Sequence, residues 1–156
     1  MFDIQDLPDE LVLKIFSYLD TNDHICFGQV SKKTRRISHD RSLWVTVDLV
    51  EKVVKTELLE MILGKGCRIL NLFHSTILGS LSSNIKSQLR VLTFSPSKFC
   101  KKNHVLEELL FSTSSLQHLV IESVNLTPKM TAGICKSGQT LQILNMNRAY
   151  LLDNVL

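Results

Sequence analysis

The pattern of apolar and polar positions divides the chain into two regimes. Over the first ~45 residues the apolar positions recur at helical spacing. Leu11, Ile15 and Leu19 stand at i, i+4 and i+8, with Val12 and Phe16 widening the stripe. Pro8 suits a first helical position, and Asp9 and Glu10 suit the positive end of the helix dipole. Asp20-Thr21-Asn22-Asp23 ends this helix and caps a second over about His24 to Val30. Ser31 caps a third, Lys32 to Ser38, and Asp40-Arg41-Ser42-Leu43-Trp44 closes the unit with the single tryptophan. Gly28 falls within the second helix on this reading and weakens it by about 1 kcal/mol relative to alanine.

From residue 67 the pattern becomes L-x-x-L-x-L and recurs. The four windows are Cys67–Leu72, Leu89–Phe94, Leu116–Ile121 and Leu141–Met146, with starts 22, 27 and 25 residues apart. An apolar residue follows ten positions after each start, namely Ile77, Phe99, Leu126 and Leu151. The stretches at 55–63, 105–110 and 130–135 are apolar at helical spacing. Short strands with alternate side chains in the core, returned by helices, satisfy both periods. Ser75, Ser97, Val124 and Ala149 occupy the position where such repeats often carry asparagine.

Composition adds limits. Of 156 residues 44% are hydrophobic and 21% charged, enough apolar material to fold. No run of 18 apolar residues occurs, and the acidic N-terminus has no secretory pattern, so cytoplasm or nucleus is the expected compartment and no membrane partner is expected. Residues 1–49 carry a net −2 and residues 50–156 a net +5. That excess favours an acidic partner but is too small to predict nucleic-acid binding. Cys26, Cys67, Cys100 and Cys135 form no C-x-x-C pair and read as buried free thiols.

Catalytic chemistry is not visible. His24, His39, His74, His104 and His118 are dispersed, and no H-E-x-x-H, G-x-S-x-G or P-loop pattern occurs. His24-Ile25-Cys26 and Cys100-x-x-x-His104 lack a second pair at zinc spacing and read as surface and loop residues, so neither metal nor cofactor is expected. Lys32-Lys33-Thr34-Arg35-Arg36 reads as the solvated face of the third helix, and Lys98–Lys102 is too short for a nucleic-acid platform.

Leu7-Pro8-Asp9-Glu10-Leu11, Ile15–Leu19, Val30-Ser31-Lys32 and Asp40–Trp44, in this order and spacing, resemble an F-box over roughly residues 5–49. Thr34 departs from it where many F-boxes have an aromatic residue, and Phe27-Gly28 where Leu, Arg and Ala are usual. The repeats resemble leucine-rich repeats. The two together are similar to the F-box/leucine-rich-repeat substrate receptors. The expected fold is therefore α+β: a three-helix F-box (1–49) followed by an α/β solenoid of about four leucine-rich repeats (50–156), parallel strands with helical returns and no C-terminal cap. The resemblance implies a non-catalytic subunit of an SCF ubiquitin ligase, docking the Skp adaptor and through it cullin, and presenting a protein substrate for ubiquitination and proteasomal degradation. It implies adaptor contacts at Leu7, Pro8, Leu11, Ile15, Phe16, Val30 and Trp44.

Residues alternating with the core leucines fall on one sheet face: Asn71 and Phe73, Thr93 and Ser95, Val120 and Glu122, Asn145 and Asn147. Among them Phe73 and Glu122, with Asn71, Asn145 and Asn147, are the candidate substrate contacts. Two other readings stand beside this one. The apolar tail Leu151–Leu156 suggests a shortened regulatory form that competes for the adaptor, and a leucine-rich scaffold without a ubiquitin role would make the F-box match accidental.

Overall fold

A computed structural model describes residues 3–82, 85–97 and 104–151. Phe99, Cys100, the basic stretch 98–102 and the tail from Leu152 lie outside the described residues.

Three short helices open the chain: α1 (Asp9–Phe16), α2 (Thr21–Phe27) and α3 (Lys32–Ser38), with 3-10 turns at Ile4–Asp6 and Arg41–Trp44. Pro8 is the cap residue of α1 and stands one position before the helix. The second helix starts three residues earlier than its apolar pattern suggests, because the Asp20 carboxylate accepts the Asp23 N–H at 2.9 Å. It ends at Phe27, so Gly28 is its C-cap. A Cβ there would lie 2.5 Å from Ser38 Oγ, so glycine permits the α2–α3 approach. Ser31 and Thr34 form a reciprocal capping box on α3, which gives the buried Thr34 its place.

The remainder is a parallel sheet with helices on one side. Strands β1 (Thr46–Asp48), β3 (Ile69–Leu78), β4 (Val91–Pro96), β5 (His118–Glu122) and β7 (Ile143–Asn147) lie in that order, and β2 (Val53–Lys55) pairs the far end of β3. A separate parallel pair joins β6 (Asn125–Leu126) to β8 (Tyr150–Leu151). The returns are α4 (Thr56–Gly64), α5 (His104–Ser112) and α6 (Pro128–Lys136).

All four L-x-x-L-x-L windows fall in register: Leu70 opposes Leu92, Leu92 opposes Leu119, and Leu119 opposes Leu144. The alternate side chains of the first three windows, with Val47 and Leu49 from the first coil, pack against Leu59, Ile62, Leu106, Leu109 and Met130 of the helices, whereas Leu144 and Met146 of the fourth are exposed. The apolar residues ten positions on build the second rung, Ile77 against Val54 and Leu151 against Leu126. Ser75 takes the asparagine position by turning its hydroxyl to the Leu72 carbonyl at 2.9 Å, fully buried.

After β1, β5 and β7, and within β3, the chain corners sharply. Glu51, His74, Ser123 and Arg148 adopt left-handed φ of 57, 53, 56 and 53°. Strand β4 lacks this extra residue, so the pairing jumps from Phe73–Ser95 to Ser75–Pro96. Ser95 is consequently buried, 3.4 Å from His74 Nδ1, and does not belong to the open sheet face.

The core is continuous from Val12 and Phe16 through Trp44 to Met130. Strand β1 follows Trp44 directly, and the Val45 carbonyl accepts the N–H groups of Arg68 and Ile69 at 2.9 and 3.0 Å. The helical unit and the sheet therefore share one core, and the first strand lies on the N-terminal side of residue 49.

Candidate functional site

The apolar stripe of α1 has two sides. Val12 and Phe16 face inward and are completely buried; Leu11 and Ile15, one position earlier, are 51% and 39% exposed. Tyr18, at i+7 from Leu11, continues the outer row and is exposed beneath Lys14, whose ammonium lies 5.2 Å from the ring centre. Pro8 and Val30 are also exposed, Leu7 is half-buried, and Phe27 adds an exposed aromatic residue. These side chains leave apolar area exposed on the helical unit, and exposed apolar area is a mark of interaction sites.

Phe16 and Trp44 do not belong to that surface. Phe16 stacks on the His24 ring at 5.9 Å, and Trp44 meets the other side of His24 edge-on at 5.9 Å. Trp44 Nε1 donates to the Ser38 carbonyl at 2.8 Å. Both residues hold the three helices together from inside. His24 is likewise buried, donating from Nε2 to the Phe16 carbonyl at 2.6 Å, and is no surface residue. The packing of Phe16 explains this: it needs a flat polar-edged partner that also satisfies the last carbonyls of α1.

The basic stretch of α3 is engaged within the chain. Lys33 Nζ donates to the carbonyls of Gln5 (2.9 Å) and Leu7, and Arg36 pairs with Asp9. Arg35 Nε reaches the Gly28 carbonyl at 3.4 Å. These contacts fix Leu7 and Pro8 in place at the head of α1. Behind the helices Lys65 donates to His39 Nδ1 at 2.7 Å and lies over the Trp44 ring at 4.9 Å. Burial pulls the Lys65 ammonium below its usual range, partly offset by Asp40. The Ser42 hydroxyl and N–H hold the Asp40 carboxyl low, and the Asp23 N–H does the same for Asp20, which Lys52 reaches from the sheet at 3.3 Å.

On the sheet, Asn71, Thr93, Val120 and Asn145 form one row across the strands, and Asp48 extends it. Glu122 and Asn147 are paired in the next row, with Asn147 Nδ2 3.4 Å from Glu122 Oε1. Phe73 is half-buried against His74, ring centres 4.2 Å apart, and Asn71 accepts the Phe73 N–H at 3.3 Å. The face thus gathers Asn71, Asn145, Glu122 and Asn147, while Phe73 is partly covered. A row the apolar pattern did not single out precedes them: Ile69, Val91, His118 and Ile143 stand in register at the strand entries.

Among the described residues no group of three His, Cys, Asp or Glu could hold a metal, and no helix is long and apolar enough to cross a membrane. Cys67 is buried and its thiol pushed up to about 12, chiefly by desolvation, which makes it inert as a nucleophile. Cys26 and Cys135 are exposed, contrary to the expectation of buried thiols, because both fall on outer helix faces.

Residues 4–50 match the F-box-like family. Over 44 residues the chain is 48% identical to F-box/LRR-repeat protein 12 of Mus musculus, covering 28% of this chain and 14% of that protein. Over 44 residues it is 36% identical to F-box only protein 15 of Homo sapiens, 28% of this chain and 9% of that protein. Over 41 residues it is 42% identical to the Saccharomyces cerevisiae ubiquitin ligase complex F-box protein UFO1, 26% of this chain and 6% of that protein. The chain thus spans a small fraction of the length of the relatives it matches. The outer row of α1, the capped α3 and Trp44 all lie within the matched residues, and the N-terminal unit of this chain, residues 4–50, is an F-box-like domain.

Proposed function

We propose that the chain is a non-catalytic substrate-recognition subunit of an SCF ubiquitin ligase. Its F-box-like domain docks the Skp adaptor, and through it cullin, and its sheet presents a protein substrate for ubiquitination and proteasomal degradation. The observation that carries this reading is the outward row Leu11, Ile15 and Tyr18, which stays exposed among the described residues although Val12 and Phe16 of the inward row beside it are fully buried. On this reading Leu7, Pro8, Leu11, Ile15 and Val30 touch the adaptor, joined by Tyr18 and Phe27. Phe16 and Trp44 act one layer beneath, as supports.

The repeating strand–return units are leucine-rich repeats in this proposal, and the parallel register of the four windows supports it. The short spacer after Trp44 resembles that of S-phase kinase-associated protein 2 within the class. Asn71, Phe73, Glu122, Asn145 and Asn147 lie on the substrate-facing side. No covalent step belongs to this chain; it contributes proximity, raising the effective concentration of substrate lysines near the transfer machinery. The cytoplasm and nucleus are the compartments consistent with that role.

Co-expression with the Skp adaptor followed by size-exclusion chromatography tests the proposal. A one-to-one complex is expected, and Leu11→Asp with Ile15→Asp abolishes it while the far-ultraviolet circular dichroism stays unchanged. Separate elution of the wild-type chain, or co-elution of a folded double variant, overturns it.

A further inference from the structure

One row of the sheet remains unexplained by the fold. At the strand entries the backbone of Arg68, Arg90, Gln117 and Gln142 forms a ladder: Arg90 N–H donates to Arg68 O at 2.8 Å, Gln117 to Arg90 at 2.7 Å, and Gln142 to Gln117 at 2.7 Å. Arg68 and Arg90 therefore sit side by side on neighbouring strands, whose spacing is about 4.8 Å. Both are exposed, and among the described residues neither makes an ion pair. Two like charges opposite one another on a sheet are unfavourable in themselves. Here nothing described in the chain offsets them.

Immediately inside this pair runs the row Ile69, Val91, His118 and Ile143, with Ile69 and Ile143 39% and 50% exposed. An unpaired double cation bordering a largely aliphatic row with its ends exposed fits a partner that is both anionic and apolar. The remaining rows of the face carry Asp48 and Glu122, which repel an anion and confine it to the strand entries. The part of the chain beyond residue 49 also carries the net positive charge, +5.

We propose that the entry rim of the sheet, Arg68 and Arg90 with Ile69 and Val91, binds an acidic segment of a partner protein, its Asp or Glu carboxylates bridging the two guanidinium groups and a neighbouring aliphatic side chain resting on the apolar row. Planar guanidinium donors match carboxylates in two-point geometry, which favours this occupant over a merely charged surface. The inference deepens the substrate-presenting reading and rests on it, but it does not depend on how the F-box-like domain meets its adaptor.

The test uses the full chain purified with the Skp adaptor, and fluorescence anisotropy with three labelled probes: a peptide of Glu and Leu, its counterpart with Lys for Glu, and an oligothymidylate. The Glu–Leu peptide binds, more weakly as salt rises, and Arg68→Glu with Arg90→Glu weakens it about tenfold or more while conferring binding of the Lys–Leu peptide. That exchange of preference separates lost recognition from lost folding. Failure of the Glu–Leu peptide to bind, or binding indifferent to the charge reversal, overturns the proposal. Preferential binding of the oligothymidylate overturns it in favour of a nucleic-acid partner. Adaptor co-elution, read in the same preparations and unaffected by the two substitutions, reports separately on the F-box reading.

Discussion

The Glu107 carboxylate ties α5 to α6. One oxygen accepts the Thr127 hydroxyl, the other lies 3.1 Å from His104 Nδ1, and Lys129 adds a nearby positive charge. The Thr127 hydrogen bond chiefly holds its carboxyl below the ordinary 4.5. A depressed carboxyl contributes stability that is complete above the unfolded value and is lost as pH falls through the folded one. The thermal midpoint should therefore fall as pH drops below about 4.5, and Glu107→Gln should make that fall shallower, as circular-dichroism melts across pH ~3 to 5 would show. Asp20, Asp40 and Glu60 are also depressed and account for the slope that remains. Other single residues were harder to place from sequence. Leu11 and Ile15, and Val12 and Phe16, both stand at i, i+4, so spacing alone does not tell the row that packs from the row that faces outward. Only the packing of Phe16 on His24, which Trp44 backs in turn, decides it.

Helix α6 approaches α5 closely at Gly133. A Cβ there would lie 2.8 Å from the Leu110 carbonyl carbon and 3.0 Å from its oxygen. Backbone cannot rotate aside, so Gly133→Ala should destabilise the chain by about 1–3 kcal/mol despite the better helix propensity of alanine, worth about 1 kcal/mol in the other direction. Urea denaturation reads the sign directly; a more stable variant would mean that the helices separate at little cost. Among the elements, β3, β4, β5 and β7 were legible because four copies of one pattern reinforce each other. Strands β1 and β2 were not, since each has three residues and a single buried one, Val47 or Val54. The start of α2 is not legible in the pattern, because its first turn, Thr21-Asn22-Asp23, carries capping chemistry and no apolar residue.

Across the whole molecule one core runs from the helical unit into the sheet, so neither part is independent of the other. The sheet is unevenly finished. On β7 Ile143, Leu144 and Met146 are 43–50% exposed, and Leu144 and Met146 occupy positions that are fully or almost fully buried on β3, β4 and β5. An exposed apolar edge strand invites pairing with another chain. Sedimentation velocity should therefore show an apparent mass that rises with concentration, and Leu144→Lys with Met146→Lys should suppress the rise. A mass that stays constant in the parent chain would show the edge to be inert.

The left-handed corners at Glu51, His74, Ser123 and Arg148 leave a reserve of untapped stability. An L-residue in that conformation costs roughly 1 kcal/mol, and asparagine tolerates it better than glutamate or serine does. The corner side chains at 51 and 123 are exposed and lie outside the core. Asparagine at these two positions, which follow strands well separated in the sheet, should raise the melting temperature additively while both candidate binding surfaces stay intact. A chain whose corners are filled by costly residues has room to absorb destabilising changes elsewhere once those corners are relieved, and that slack is a practical foothold for engineering its binding face.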